Sequence, residues 1–295
     1  IFVPWRNKQK PYLFSGKNEK LLANVSFRQE TVKNKFVPFT YSFGSDYHII
    51  KWLSLKANFS KVYRIPTFND LYWNPGGNPD LLPESGFSEE TGLKLFLENQ
   101  RIALKSDATV YSRKMENWII WLPGISYWSP QNIMNVWSRG METNSMLAVK
   151  FNKAKISFSV LTNYIVSTNQ KAKSVNDASV DKQLIYVPMY SGHAKIGIEY
   201  KGFVIAYRHN YTGYRYTSTD NTQYLPPFYL GSFYLSYKMK LNNSTGNIFF
   251  QANNVWKEQY QVILNRAMPQ QNFNAGISFE LYCPRAKTTR DTNLD

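Results

Sequence analysis

The sequence predicts an all-β chain, a transmembrane antiparallel β-barrel of about twelve strands. Three observations carry the prediction. Apolar residues recur at every second position in one short segment after another, the spacing of a strand with two different faces. The connections alternate between tight turns and long loops, as they do in membrane barrels, and a soluble sandwich gives no reason for that alternation. Aromatic residues mark segment ends at Tyr63, Trp118, Trp137, Tyr164, Tyr211, Tyr229 and Trp256, the girdle positions at membrane interfaces. Composition agrees without deciding. The 295 residues include 21 Tyr, 19 Phe and 8 Trp, yet mean hydropathy is −0.43. No run approaches the ~18 apolar residues of a membrane helix. In a barrel only alternate residues meet lipid, so the average stays polar. A soluble β-sandwich or propeller shares that composition, and the loop pattern separates the two.

The elements follow in chain order. Residues 1–19 are rich in turn formers and open on Ile1-Phe2-Val3-Pro4, which has the character of mid-protein sequence rather than a signal peptide. Ala23, Val25 and Phe27 alternate with polar residues in a first strand near 20–31. Phe39, Tyr41 and Phe43 define a second, expected to end at Gly44-Ser45-Asp46. A third runs from about Ile50 to Val62. A long loop follows, stiffened by Pro66, Pro75, Pro79 and Pro83, which cannot join a ladder. Leu93, Leu95 and Leu97 mark the fourth strand, near 86–97, and Glu98-Asn99-Gln100 a tight turn. Ile102, Leu104, Ala108 and Val110 share one face of the fifth strand, which continues toward Trp118. Residues 119–133 are expected to form an aromatic loop, and 134–150 the sixth strand.

Ile156, Phe158, Val160, Thr162 and Tyr164 make the seventh strand, after a turn at Asn152-Lys153. In that strand Ile156, Phe158 and Val160 should face lipid, and Ser157 and Ser159 the lumen. A polar loop spans 168–188. Ala194 to Tyr200 and Phe203 to Tyr211 form a hairpin around Lys201-Gly202. A loop at 212–227 leads to a tenth strand from Tyr229 to Leu241, a turn at 242–246, and an eleventh opening at Ile248. A last loop covers 256–269, and Phe273 to Leu281 closes the series. Residues 1–282 form one barrel segment and 283–295 a polar tail.

Charge and chemistry exclude several classes. Lys and Arg total 35 against 20 Asp and Glu, a net charge of +15. The positive residues are scattered and no nucleic-acid-binding motif accompanies them, so a solvated basic surface is the reading, with no nucleic-acid partner. At a bacterial outer surface the same cations can meet lipopolysaccharide phosphates. Cys283 is the one cysteine, and His48, His193 and His209 have no ligand spacing, so neither a disulfide nor a metal cluster is expected. Asp70, Glu84, Glu89 and Glu90 lie near one loop, but no nucleophile–His–acid set or phosphate loop joins them. The expectation is a non-enzyme without cofactor.

A family resemblance rests on three stretches. The first is Tyr63-Arg64-Ile65-Pro66-Thr67-Phe68-Asn69-Asp70-Leu71-Tyr72, followed by Gly77-Asn78-Pro79, Leu81, Pro83-Glu84, Glu89 and Gly92. The second is Trp128-Ser129-Pro130-Gln131-Asn132 through Val136-Trp137-Ser138-Arg139-Gly140-Met141-Glu142. The third is Asn253-Asn254-Val255-Trp256, Tyr260, Met268-Pro269 and Asn272-Phe273 to Phe279. Over about residues 20 to 282 the chain resembles the barrel of TonB-dependent outer-membrane receptors. The aromatic Asp-Leu-Tyr-Trp form is most similar to cobalamin and iron-siderophore receptors of Bacteroides-like bacteria. The resemblance implies a 22-stranded barrel in the outer membrane. It also implies an N-terminal plug carrying the contact to the TonB complex, and uptake of cobalamin or a ferric siderophore. A surface lipoprotein is a further partner on that reading. The twelve strands match the C-terminal part of such a barrel, and plug, TonB box and signal peptide are not found. A rival expectation is a soluble or surface-attached carbohydrate-binding β-protein.

Two sets of residues are candidates for function. Arg64, Pro66, Asp70, Asn78, Pro79, Leu81, Pro83 and Glu84 are family-motif residues, with Arg64 and Glu84 placed at the two ends of the main loop to hold it. Tyr72, Trp73, Tyr127, Trp128, Tyr214 and Tyr216 are loop aromatics suited to a large, partly apolar ligand. Packing of the loops and completion of the aromatic girdle are the alternatives for the second set.

Overall fold

The computed structural model describes residues 20–32, 35–172, 175–241 and 244–281. The expectations for residues 1–19 and for the tail after Leu281 fall outside them. Twelve antiparallel strands form one open sheet: β1 (Leu21–Arg28), β4 (Thr40–Ile50), β5 (Leu53–Arg64), β6 (Glu84–Glu98), β7 (Ile102–Pro123), β8 (Trp128–Phe151), β9 (Ala154–Asn169), β10 (Tyr190–Tyr200), β11 (Phe203–Thr212), β14 (Phe228–Leu241), β15 (Ser244–Asn253) and β16 (Asn272–Leu281). Each pairs only with its sequence neighbours in the sheet, so the topology is a pure meander with β1 and β16 as edges. Two small hairpins decorate the loops, β2 (Thr31–Val32) with β3 (Lys35–Phe36) and β12 (Arg215–Tyr216) with β13 (Tyr224–Leu225). The described helix is α1 (Phe68–Tyr72).

Register carries the period-two pattern across the sheet. Phe158 pairs with Leu147 on one side and Ile196 on the other, and Ile156 with Val149 and Ile198. The same apolar row continues through Ile205, Leu235, Phe250 and Ala275. Ser157 pairs with Ala148 and Gly197, and Ser159 with Met146 and Lys195. The opposite face is therefore the polar one, as the alternation of β9 predicts. On that face Lys94 Nζ lies 2.7 Å from Asp46 Oδ1 and Lys56 Nζ 2.7 Å from Asp107 Oδ1. A sheet with charged pairs on one side and exposed Leu, Ile and Phe on the other has two solvents, and few of its side chains are buried.

Three boundaries differ from the sequence reading. Gly44, Ser45 and Asp46 sit inside β4, paired with Asn24, Ala23 and Leu22, and the turn falls at Lys51–Trp52. Gly44 serves close approach, since a Cβ there would meet Asn24 Oδ1 at 2.2 Å. Residues 119–133 are mostly strand: β7 and β8 run on as a hairpin to a turn at 124–127. Trp118 and Trp137 consequently lie within strands, not at their ends, and so does Tyr164, because β9 runs on to Asn169. Residues 244–246 open β15 rather than continuing the turn before it. The alternation of connections holds except at β7–β8, where the expected long loop is a hairpin closed by the tight turn at 124–127. Tight turns at one end (51–52, 99–101, 152–153, 201–202) oppose loops 29–39, 65–83, 170–189, 213–227 and 254–271 at the other.

Candidate functional site

The family-motif residues converge on one lock. β5 ends and β6 begins at a directly paired couple, Arg64 and Glu84. Arg64 Nε donates to Glu84 Oε2 at 2.8 Å and Nη2 to Oε1 at 2.5 Å, a two-pronged contact of the strong, orientation-specific kind. Glu84 is buried and its Oε1 also accepts the Ile119 N–H at 2.7 Å. Arg64 Nη1 lies 3.4 Å from Asp70 Oδ2.

Asp70 is the second hub. Pro66 stops the strand, and Thr67 caps α1 by accepting the Asp70 N–H at 3.1 Å while its own N–H donates to Asp70 Oδ2 at 2.9 Å. That reciprocal capping makes a five-residue helix persist. Trp121 Nε1 donates to Asp70 Oδ1 at 2.9 Å. Burial pushes the Asp70 carboxyl up, but the Thr67 and Trp121 hydrogen bonds and the Arg64 charge outweigh it and hold it below its ordinary value. Asn78 continues the chain of contacts: its N–H meets Asp70 O at 2.8 Å, and its Nδ2 meets Pro130 O at 3.3 Å. Leu81 is buried, and Pro79 and Pro83 flank it.

Asn132, part of the second resemblance stretch but given no role in the sequence reading, clamps the same loop. Its Oδ1 accepts the Leu82 N–H at 3.0 Å, and its Nδ2 reaches Leu82 O at 3.1 Å and Asn117 O at 2.6 Å. On the other side of the β7–β8 extension, Trp118 and Ile120 pack with Val136, Leu184 and Val187. The extension is thus wedged between loop 65–83 and loop 170–189.

Two further joints fasten the remaining loops. Gln183 and Asn221 exchange hydrogen bonds, Gln183 N–H to Asn221 Oδ1 at 2.9 Å and Asn221 Nδ2 to Gln183 O at 2.9 Å. Gln183 Oε1 also accepts the Ser167 N–H at 2.9 Å. Arg215, buried, donates from Nη1 to Gln261 O at 3.2 Å and from Nη2 to Pro226 O at 2.7 Å, with its guanidinium 4.8 Å from the Phe228 ring centre. No periodicity marks Asn132, Gln183, Asn221 or Arg215; an isolated amide or guanidinium in a loop is ordinary in sequence.

The loop aromatics lie along this cross-linked rim. Gly76, at φ +121°, brings its backbone against Trp128 O and the Tyr127 ring, where a Cβ would be 2.2 and 3.1 Å away. Trp128 meets Tyr186 at 6.0 Å between ring centres, and the Tyr186 N–H donates to Tyr216 O at 2.8 Å. Tyr214 packs edge-on against Tyr216 at 5.5 Å and Tyr224 at 6.0 Å. Tyr127, Trp128, Tyr214 and Tyr216 therefore belong to one strip, joined by Tyr186, which the sequence reading omitted. Trp73 is exposed on loop 65–83, its carbonyl accepting the Gly77 N–H at 2.6 Å. Tyr72 instead packs against Phe68, the two rings tilted with centres 5.0 Å apart. Among the described residues no group of three His, Cys, Asp or Glu is placed to hold a metal ion.

A two-faced meander with tight turns at one end and cross-linked aromatic loops at the other is a segment of a transmembrane β-barrel. A family model described as "TonB dependent receptor-like, beta-barrel" matches residues 11–255. The chain belongs to this family, and its place is the bacterial outer membrane. The vitamin B12 transporter BtuB of Photobacterium profundum is 25% identical over 232 residues, 76% of this chain and 36% of that protein. A BtuB of Vibrio vulnificus is 37% identical over 86 residues, 28% of this chain and 13% of that protein. The siderophore receptor PirA from Acinetobacter baumannii superposes with a TM-score of 0.64 at 11% identity, over 88% of this chain and 43% of that one, a likeness of fold. The chain spans about a third of the length of the first of these relatives.

Proposed function

We propose that these strands are part of the barrel of an uptake receptor for a large, scarce ligand of the cobalamin or ferric-siderophore class. In that reading a plug segment outside the described strands fills the lumen and couples to the TonB complex. The chain itself carries no chemical step; it holds the outer rim in shape and contacts the ligand. The observation that carries the reading is the strip Trp128–Tyr186–Tyr216–Tyr214 on loops that are hydrogen-bonded to one another. Rings on a fixed frame offer apolar contact at low entropic cost, which suits a corrin or catecholate surface. BtuB names among the relatives favour cobalamin within the class.

The test is ligand binding by the receptor that contains this chain, with the strip residues Trp128, Tyr214 and Tyr216 changed together to Ala. Aromatic contacts contribute ~0.5–1.5 kcal/mol each beyond area burial. Roughly tenfold or greater weakening of cobalamin or ferric-siderophore binding is expected if they add in part. Unchanged affinity would place the ligand elsewhere.

A further inference from the structure

We propose that the lipid-facing side of β5–β8, just below the loops, binds the phosphorylated headgroup of the outer-leaflet glycolipid. The register defines the patch. One row crosses the strands as Lys61, Phe87, Lys114, Trp137 and Thr168, and the next, one step from the loops, as Phe59, Glu89, Ser112, Arg139 and Val166. A further step gives Ala57, Thr91, Val110, Met141 and Tyr164, where the apolar band begins. Cations interleaved with rings thus stand at the height where hydrocarbon gives way to headgroups.

Two of the cations share one indole. Arg139 Cζ is 3.9 Å from the Trp137 ring centre and Lys114 Nζ 5.5 Å from it. Trp137 is fixed by its Nε1 hydrogen bond to Ser112 Oγ at 3.0 Å, and Arg139 by one to Thr168 Oγ1 at 3.2 Å. Phe59 stacks on Phe87 at 5.9 Å beside Lys61. Among the described residues, none of Lys61, Lys114 and Arg139 forms an ion pair. Glu89, and Glu116 one row nearer the loops, share this face without reaching them. Like charges around one ring repel unless an anion sits between them, and a phosphate does that with charge-assisted hydrogen bonds. The rings suit the sugar it is attached to. The outer leaflet follows from the position beside the long loops.

The inference rests on those loops facing outward. The experiment takes the protein extracted from native outer membranes in mild detergent and measures co-purifying glycolipid by mass spectrometry. The variants are Lys61→Gln/Lys114→Gln/Arg139→Gln, the charge-keeping Lys114→Arg/Arg139→Lys, and Arg113→Gln/Arg208→Gln on the opposite face. Heat-modifiable migration reports that each is folded. A surface cation near an anionic leaflet contributes about fivefold in affinity, so the triple variant should retain at least about tenfold less glycolipid. The charge-keeping and opposite-face variants should retain it. Undiminished retention in the triple variant overturns the proposal. So does equal loss from the opposite-face variant, or equal displacement by phosphatidylglycerol. Failure of the orientation itself shows separately, as absent labelling of Asn176→Cys by an impermeant thiol reagent on whole cells.

Discussion

Removing the Glu84 carboxylate should release loop 65–83 without unfolding the sheet. In Glu84→Ala, Arg64 loses both prongs of its contact, and the Ile119 N–H loses its acceptor inside the protein. Charge-assisted bonds of this kind are worth about 1.5–3 kcal/mol, and a stranded buried donor costs about 1–3 kcal/mol. The sum must be discounted because the Arg64 side chain is 43% exposed and can return to water. About 2–3 kcal/mol remains as the cost to the closed loop. That is roughly a 30- to 150-fold rise in the fraction of time the loop stands open. Barrel unfolding is often irreversible, so the proper readout is local: the rate of limited proteolysis within 65–83 under native conditions. Glu84→Gln keeps the shape and an acceptor for Ile119, and should cost about half as much. A cycle with Arg64→Met isolates the pair, with coupling of about 1–2 kcal/mol expected. Cleavage of Glu84→Ala within a factor of about two of the parent, or zero coupling in the cycle, would falsify the lock.

Three further outcomes are expected. Cysteine at Asn176, on loop 170–189, should react with an impermeant reagent on intact cells, and cysteine at Asn99, in a tight turn, should not; the reverse pattern inverts the topology. Phe158→Arg, in the apolar row between Leu147 and Ile196, should destabilise by about 2–4 kcal/mol at the bilayer midplane. Ser157→Arg, facing the lumen, should cost much less, and equal tolerance in urea-midpoint measurements would show the register to be wrong. Loop protection should also depend on pH through Asp70. Its carboxyl is depressed in the folded loop, so its contribution is complete above the unfolded value of about 3.9 and is lost as pH falls through the folded value. Proteolysis with an acid-active protease should stay slow down to about pH 4 and accelerate below it; acceleration already near neutrality would assign the protection to another group.

The sheet was legible because its physics is repetitive. Every strand from β4 to β16 in the main sheet solves the same problem, one face to lipid and one to the lumen, so period-two spacing marks each independently. Errors fell where local chemistry overrode that signal. Gly44 looks like a turn, yet its missing Cβ makes room for Asn24 within a ladder. Pro123, Gly124 and Pro130 look like loop, yet Pro130 pairs with Trp121 inside the hairpin, its side chain buried and its carbonyl accepting from Asn78 Nδ2. The lock at Arg64 and Glu84 was visible because both ends of a motif flank one loop. Asn132, Gln183, Asn221 and Arg215 were not, because each joins backbone groups of segments distant in sequence, Gln183 by its side chain to Ser167 and by its backbone to Asn221, and no sequence spacing encodes that meeting.

Those four residues explain how the rim holds together where apolar burial is scarce. Loop tips carry unpaired backbone groups that must be satisfied by something when water is displaced. An amide side chain can give and take one bond at once, and Asn132 does so against the two sides of Leu82. Gln183 and Asn221 are joined in the same way, the Asn221 amide giving to and taking from the Gln183 backbone. A guanidinium only donates, and Arg215 accordingly joins two carbonyls, of Pro226 and Gln261. A buried arginine held by carbonyls alone costs more than an amide joint, and burial pushes its pKa down. It spans further, which the gap between loops 213–227 and 254–271 requires. The joints run in series, loop 65–83 to the β7–β8 extension to loop 170–189 to loop 213–227 to loop 254–271. Loosening one joint should therefore raise protease sensitivity in its two adjoining loops and leave the others protected. Asn221→Ala should expose 170–189 and 213–227 while 65–83 stays closed. Uniform exposure of all four loops would mean that the rim opens as one unit rather than joint by joint.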